Sequence, residues 1–216
     1  MRDVMHAVVE SANAMNQFQV LANEYLSRST NAFYHVPYVR MGNPGNPDYL
    51  NTLKNTFNDF PENKLQSAVQ ELRNVLQIDI PQIFQALGFD VITVCVVPRA
   101  KAEVAYHPNQ QLFRATVQAA IEQINGFVDG TSHIRRHINT RTTHLRDPVR
   151  NYSNDGPLPY PGITEETCEI SPNVEGKNIL LVDDIYTPSV NIDEDAINAL
   201  LNAGARTVTF YAVGKV

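Results

Sequence analysis

Residues 178–191 read NILLVDDIYTPSVN, and no other stretch limits the possible folds as tightly. Ile179, Leu180, Leu181 and Val182 form a short continuous apolar run after the turn-like Glu175, Gly176 and Lys177. Such a run suits a strand buried on both faces of a parallel sheet. Asp183 and Asp184 then fall at its carboxyl edge, where open α/β sheets place their ligands. Asn191 and Glu194 have capping-box spacing, and Ile192, Ile197, Leu200 and Leu201 form an apolar stripe ending at Gly204. The pattern predicts a strand, a pair of carboxylates, a short loop and a helix.

The remaining α/β pattern begins near Gly88. Residues 89–97 predict the first strand of the sheet, left through the cationic turn Pro98, Arg99, Ala100, Lys101. Residues 109–124 predict a helix with Leu112, Phe113, Val117, Ala120, Ile121 and Ile124 facing inward, and the next strand is expected within 131–138. Strand, helix and strand in sequence imply a right-handed crossover. Residues 168–171 read as a short strand, and residues 207–213 as the strand that closes the sheet.

Upstream, Met5, Val8, Ala12, Met15, Phe18, Leu21 and Tyr25 recur at helical spacing over residues 4–25. A turn-rich loop with Gly42, Pro44, Gly45 and Pro47 follows the aromatic residues Phe33, Tyr34 and Tyr38, for which packing is favoured over ligand binding. A second helix is expected after Pro61, broken at Pro81, with a short helical turn running on to Gly88. The domain reading is therefore a helical extension or hood over 1–88 and an α/β core over 89–216.

The 216 residues are enough for a substantial core, and the formal net charge of −6 argues against general nucleic-acid coating. Cys95 and Cys168 are too few for a disulfide framework or a zinc site, and Cys95 reads as a buried thiol. The apolar run 91–97 is too short to span a bilayer, and residues 1–10 lack a signal-peptide core. A cytoplasmic protein with no membrane partner is expected.

Cation is concentrated locally in Arg135, Arg136, His137, Arg141, His144, Arg146 and Arg150. A solvated loop, a mobile lid over a polyphosphate and a nucleic-acid contact are the three readings, the last weakened by the absence of an aromatic ladder. The Pro- and Gly-containing stretch 151–164 that follows reads as an irregular excursion and supports the lid.

The strand with Asp183, Asp184 and the loop from Thr187 resembles the signature of type I phosphoribosyltransferases, an apolar strand followed by Asp-Asp, two variable residues and Thr-Thr-Gly-x-Thr. More loosely, Val97-Pro98, Asn109-Gln110, Arg136 with Thr140, and Lys54 upstream are similar to the competence protein F-like branch of that superfamily. The resemblance implies an α/β fold with a type I phosphoribosyltransferase-like parallel sheet flanked by helices and an N-terminal hood. It also implies binding of phosphoribosyl pyrophosphate (PRPP) with Mg2+ and transfer of the phosphoribosyl group, with release of pyrophosphate.

On that resemblance, Asp183 and Asp184 hold the ribose hydroxyls, and meet the metal only through them or through water. Thr187, Ser189 and Asn191 take the 5′-phosphate, and Arg99, Lys101 and Arg136 the pyrophosphate. The loop departs from the pattern: Pro188 removes an amide, Ser189 replaces the glycine, and Asn191 stands in place of the last threonine. Asp193, Glu194 and Asp195 crowd the helix's first turn and would repel a phosphate unless they point away. Two readings follow: an active phosphoribosyltransferase, or a non-catalytic module that senses PRPP or a nucleotide or binds another protein. The acceptor is not legible, and a homo-oligomer is left open.

Overall fold

The computed structural model describes residues 15–55, 60–142, 154, 156, 162–163, 166–188 and 190–216. Its centre is a six-stranded sheet, supplied by β1 (Asn16–Val20), β2 (Thr30–Pro37), β3 (Ile92–Val96), β4 (Phe127–Asp129), β7 (Asn178–Tyr186) and β8 (Thr207–Lys215). The strand order is β1-β2-β8-β7-β3-β4. Every neighbouring pair is parallel except β1 with β2. Two further strands, β5 (Ile134–Arg136) and β6 (Cys168–Ile170), pair with each other in a separate antiparallel ribbon. The chain is thus α/β with a mostly parallel mixed sheet.

Continuous apolar runs give strands buried on both faces. All five residues of β3 are buried, as are Ile179 to Val182 of β7. Side-chain alternation divides them between two cores. Ile92, Val94, Val96, Leu180, Val182, Tyr211 and Val213 meet α1 (Asp48–Lys54), α2 (Glu62–Leu87) and α3 (Leu112–Ile121) on one face. Cys95, Val97, Ile179, Leu181, Phe210 and Ala212 meet Ala196, Ile197 and Leu200 of α4 (Ile192–Asn202) on the other.

This division creates the feature that places the site. From β3 the chain crosses through α3 to β4, moving toward one edge of the sheet. From β7 it crosses through α4 to β8, moving the opposite way. Crossovers of one hand running in opposite directions must use opposite faces, as α3 and α4 do. Between the carboxyl ends of β3 and β7 the strand order reverses, which leaves a crevice there.

Several expectations need correction. Within the helix expected over residues 4–25, residues 16–20 are strand β1, and residues 1–14 lie outside the described residues. Alternation seats Val20 in the core and sets Phe18 against Tyr34, Tyr186 and Phe210, and the partner strand β2 decides between two readings of one apolar spacing. The segment read as a helical hood therefore contributes two strands to the sheet, and β8 lies inside the sheet rather than closing it. Pro81 does not break α2, because Leu76, Ile80 and Ile83 on both sides of it are fully buried and tertiary packing outweighs the lost backbone bond. Gly88 ends that helix, at φ 64°. The strand expected within 131–138 exists as β5, but the sheet neighbour of β3 is β4.

Candidate functional site

Strand β3 runs beside β7 as far as Val96 opposite Val182, where the Val97 N–H donates to the Val182 carbonyl at 3.0 Å. Pro98 then carries the chain away, while β7 continues beside β8 through Tyr186 opposite Lys215. Asp183 and Asp184 therefore lie on a strand that has just lost one neighbour. They open into a cleft of about 930 Å³ walled by the ends of β3 and β7, the turn after β3 and the start of α3. Seven lysine and arginine side chains line it against four acids, Glu103, Asp183, Asp184 and Asp193. In a chain of net charge −6, this is a locally cationic hollow suited to an anion.

Successive strand residues face opposite sides, so Asp183 turns toward the α4 side and Asp184 away from it. The partner of Asp183 is Asp193, in the first turn of α4, whose carboxyl group shares a hydrogen bond with it. Desolvation raises the pKa of Asp183 well above the usual carboxylate range, and the charges of Asp193 and Asp184 add to the effect. Burial likewise pushes Asp193 up to about 8. Two carboxyl groups in contact cannot both ionise without a cation between them.

The other acids of that turn point away from the cleft. Glu194 is buried and accepts the Tyr186 hydroxyl at 2.8 Å, and Asp195 accepts the Ile163 N–H at 2.6 Å. Burial raises the pKa of both, and their hydrogen bonds oppose the rise. Asp193 alone of the three lines the cleft.

The loop before α4 is tighter than an open phosphate cradle. The Val190 N–H donates to the Thr187 carbonyl at 3.0 Å, closing a turn that occupies an amide, and Pro188 has none to offer. Thr187 lines the cleft. Asn191 adopts φ 57° and makes no side-chain cap, so the expected capping box with Glu194 does not form. Its Oδ1 instead accepts from Asn23 Nδ2 at 3.0 Å, directing the side chain to the segment after β1. Ser189 lies outside the described residues, as do His144, Arg146, Arg150 and most of 151–164.

Arg99, Lys101 and Arg136 all line the cleft. The Arg99 guanidinium donates to the carbonyls of Leu53, Lys54 and Gln110 and stacks on the Tyr106 ring at 5.0 Å. Arg136 is buried, with Nε donating to the Arg99 carbonyl at 2.6 Å and Nη1 to the Gly162 carbonyl at 2.8 Å. Desolvation lowers its pKa, though the guanidinium keeps its charge. These two arginines shape the cleft as well as charging it. Lys101 is buried at its edge, with its backbone N–H donating to the Tyr106 hydroxyl at 2.9 Å.

Arg114 also reaches the cleft, paired with Glu103, and sequence reasoning did not name it. Its position in the first turn of the helix leaving β3 was the available signal, since that turn must lie at the ligand edge. Among the described residues, no group of three or more His, Cys, Asp or Glu side chains is arranged to hold a metal ion. Mg2+ needs only one or two protein carboxylates, keeping water and substrate oxygens for the rest, so the donor set here fits it. Also among the described residues, no helix is long and apolar enough to cross a membrane. Compared with protein-family models and with curated proteins, the chain finds no match.

Proposed function

We propose that the cleft binds PRPP with Mg2+ and transfers its phosphoribosyl group to an acceptor nucleophile, releasing pyrophosphate. The observation carrying this reading is the Asp183–Asp184 pair on β7, at the point where the strand order reverses, facing a cation-rich hollow. Vicinal hydroxyls donate well to carboxylates, and a polyphosphate matches the clustered Lys and Arg. In the reaction, the acceptor forms a bond to ribose C1 as the C1–oxygen bond breaks, and the electron pair leaves with pyrophosphate. This chain's contribution is to position the ribose and to stabilise charge. Asp183 and Asp184 hold the ribose, Thr187 stands beside the 5′-phosphate, and Lys101, Arg99 and Arg136 set the field around the pyrophosphate. Mg2+, when bound, would neutralise charge on the pyrophosphate oxygens.

A second reading, a PRPP- or nucleotide-sensing or protein-interaction module without turnover, is favoured by the Thr187–Val190 turn and by Asp193 at the helix start. Both reduce the amides and the dipole available to a 5′-phosphate.

Calorimetric titration of PRPP and Mg2+ into the wild type and into the Asp183→Asn/Asp184→Asn variant tests the shared premise. Binding by the wild type that is lost in the double variant is the expected result, and release of pyrophosphate with candidate acceptors then separates enzyme from sensor. No binding by the wild type at millimolar PRPP would overturn both readings.

A further inference from the structure

The hollow where α4 begins is walled by a carboxylate of its own. Asp193 is 4% exposed, it lines the same cleft as Asp183 and Asp184, and its Oδ1 is buried without a hydrogen-bond partner. Its carboxyl group meets that of Asp183 at the end of β7. Among the described residues, no lysine, arginine or histidine forms an ion pair with Asp183, Asp184 or Asp193. Of the turn's other acids, Glu194 accepts from Tyr186 through Oε1 and also keeps a buried, unpartnered Oε2, and Asp195 accepts from the Ile163 amide, but neither lines the cleft as Asp193 does. A buried carboxylate is costly unless it is hydrogen-bonded, paired or bound to a metal, and Asp193 keeps one oxygen with none of these.

We propose that Asp183 and Asp193 together ligate a divalent cation directly, one carboxylate from the strand end and the other from the first turn of α4. The cation is a hard, oxygen-seeking ion such as Mg2+ or Mn2+, and water or a substrate phosphate oxygen completes its coordination. Its charge neutralises the two acids and turns the start of α4 from a place that repels phosphate into one that accepts it. The inference extends the phosphoribosyl reading by giving the metal direct ligands, yet the site is built from this chain alone and is testable without PRPP.

The experiment is Mn2+ binding to the full chain, followed by the electron paramagnetic resonance signal of free Mn2+, with no PRPP present. The expected result is one saturable site in the wild type, displaced by Mg2+, and at least about tenfold weaker in Asp193→Asn. Asp183→Asn should weaken it similarly, and reads the same ligation from the strand side if Asp193→Asn does not fold. Asp195→Asn, which removes an adjacent charge already held by Ile163, should change affinity by no more than about twofold.

Absence of saturable Mn2+ binding at millimolar concentration, equal affinity in the wild type and Asp193→Asn, or an equal loss in Asp195→Asn would overturn direct ligation. A Mn2+ site found in a protein that does not bind PRPP would keep this inference and remove the phosphoribosyl reading. PRPP binding by a protein whose Mn2+ affinity ignores these substitutions would do the reverse.

Discussion

Replacing Arg136 with methionine is expected to destabilise the ligand-free protein by about 1–3 kcal/mol. Arg136 is 3% exposed, and its guanidinium joins the Arg99 carbonyl, in the turn that leaves β3, to the Gly162 carbonyl. Methionine retains an unbranched apolar stem but takes the donor from the Arg99 carbonyl, whereas the Gly162 carbonyl keeps its bond from the Thr167 hydroxyl at 2.7 Å. One carbonyl left without its donor costs about 1–3 kcal/mol. Relief of the desolvation that lowers the arginine's pKa subtracts from this cost and keeps the net loss within that range. Arg136→Lys keeps the charge but offers a point donor that cannot span two carbonyls, so about half of the loss should remain. Urea unfolding checks this as a shift in midpoint at constant slope, without ligand. A change below about 0.5 kcal/mol, within the range of an ordinary surface substitution, would refute the scaffold role and return Arg136 to ligand binding alone.

Neither cysteine should react with a thiol reagent at pH 8 in the native protein, and both of the two should react once it is denatured. Burial pushes the Cys95 thiol up to about 12, so about one molecule in 10⁴ would carry the reactive thiolate at that pH even if reagent reached it. Rapid native labelling would contradict this packing. On the opposite face of the sheet, Tyr211 donates to the buried Asp79 at 2.6 Å, and His35 Nδ1 lies 3.0 Å from the same oxygen. Tyr211→Phe should cost about 1.5–3 kcal/mol in the wild type and clearly less in an Asp79→Asn background, and strictly additive losses in that double-mutant cycle would refute the coupling.

The elements legible in the sequence were those whose local signals agree. Strand β7 and helix α4 combine an apolar run, adjacent acids, a helical stripe and Gly204, and each cue selects the same unit. Strand β1 was not legible because Met15 and Phe18 fit a helical stripe, while the alternation of Phe18 and Val20 acquires meaning only when Thr30–Pro37 lies alongside. Strand β4 has three residues, too few to show a period, and takes its register from β3. Pro81 misled because its effect on a helix is local, whereas Leu76, Ile80 and Ile83 are held by the sheet.

The location of the candidate site was legible for a topological reason: residues at the ends of parallel strands share one edge wherever their side chains point. Direction was not legible. Arg99 finds its acceptors at Leu53 and Lys54, far back in the chain, and Arg136 finds one at Gly162, across a long excursion. Asn191 is turned aside by Asn23. A long cationic side chain at a strand end announces a positive field, but the distant carbonyls that come to meet it decide whether its donors remain available. In this cleft the two arginines contribute chiefly field, because backbone carbonyls engage their guanidinium groups. An anion would then owe its specificity less to a bidentate fork than to the acids Asp183, Asp184 and Asp193, and to whatever cation they bring with them.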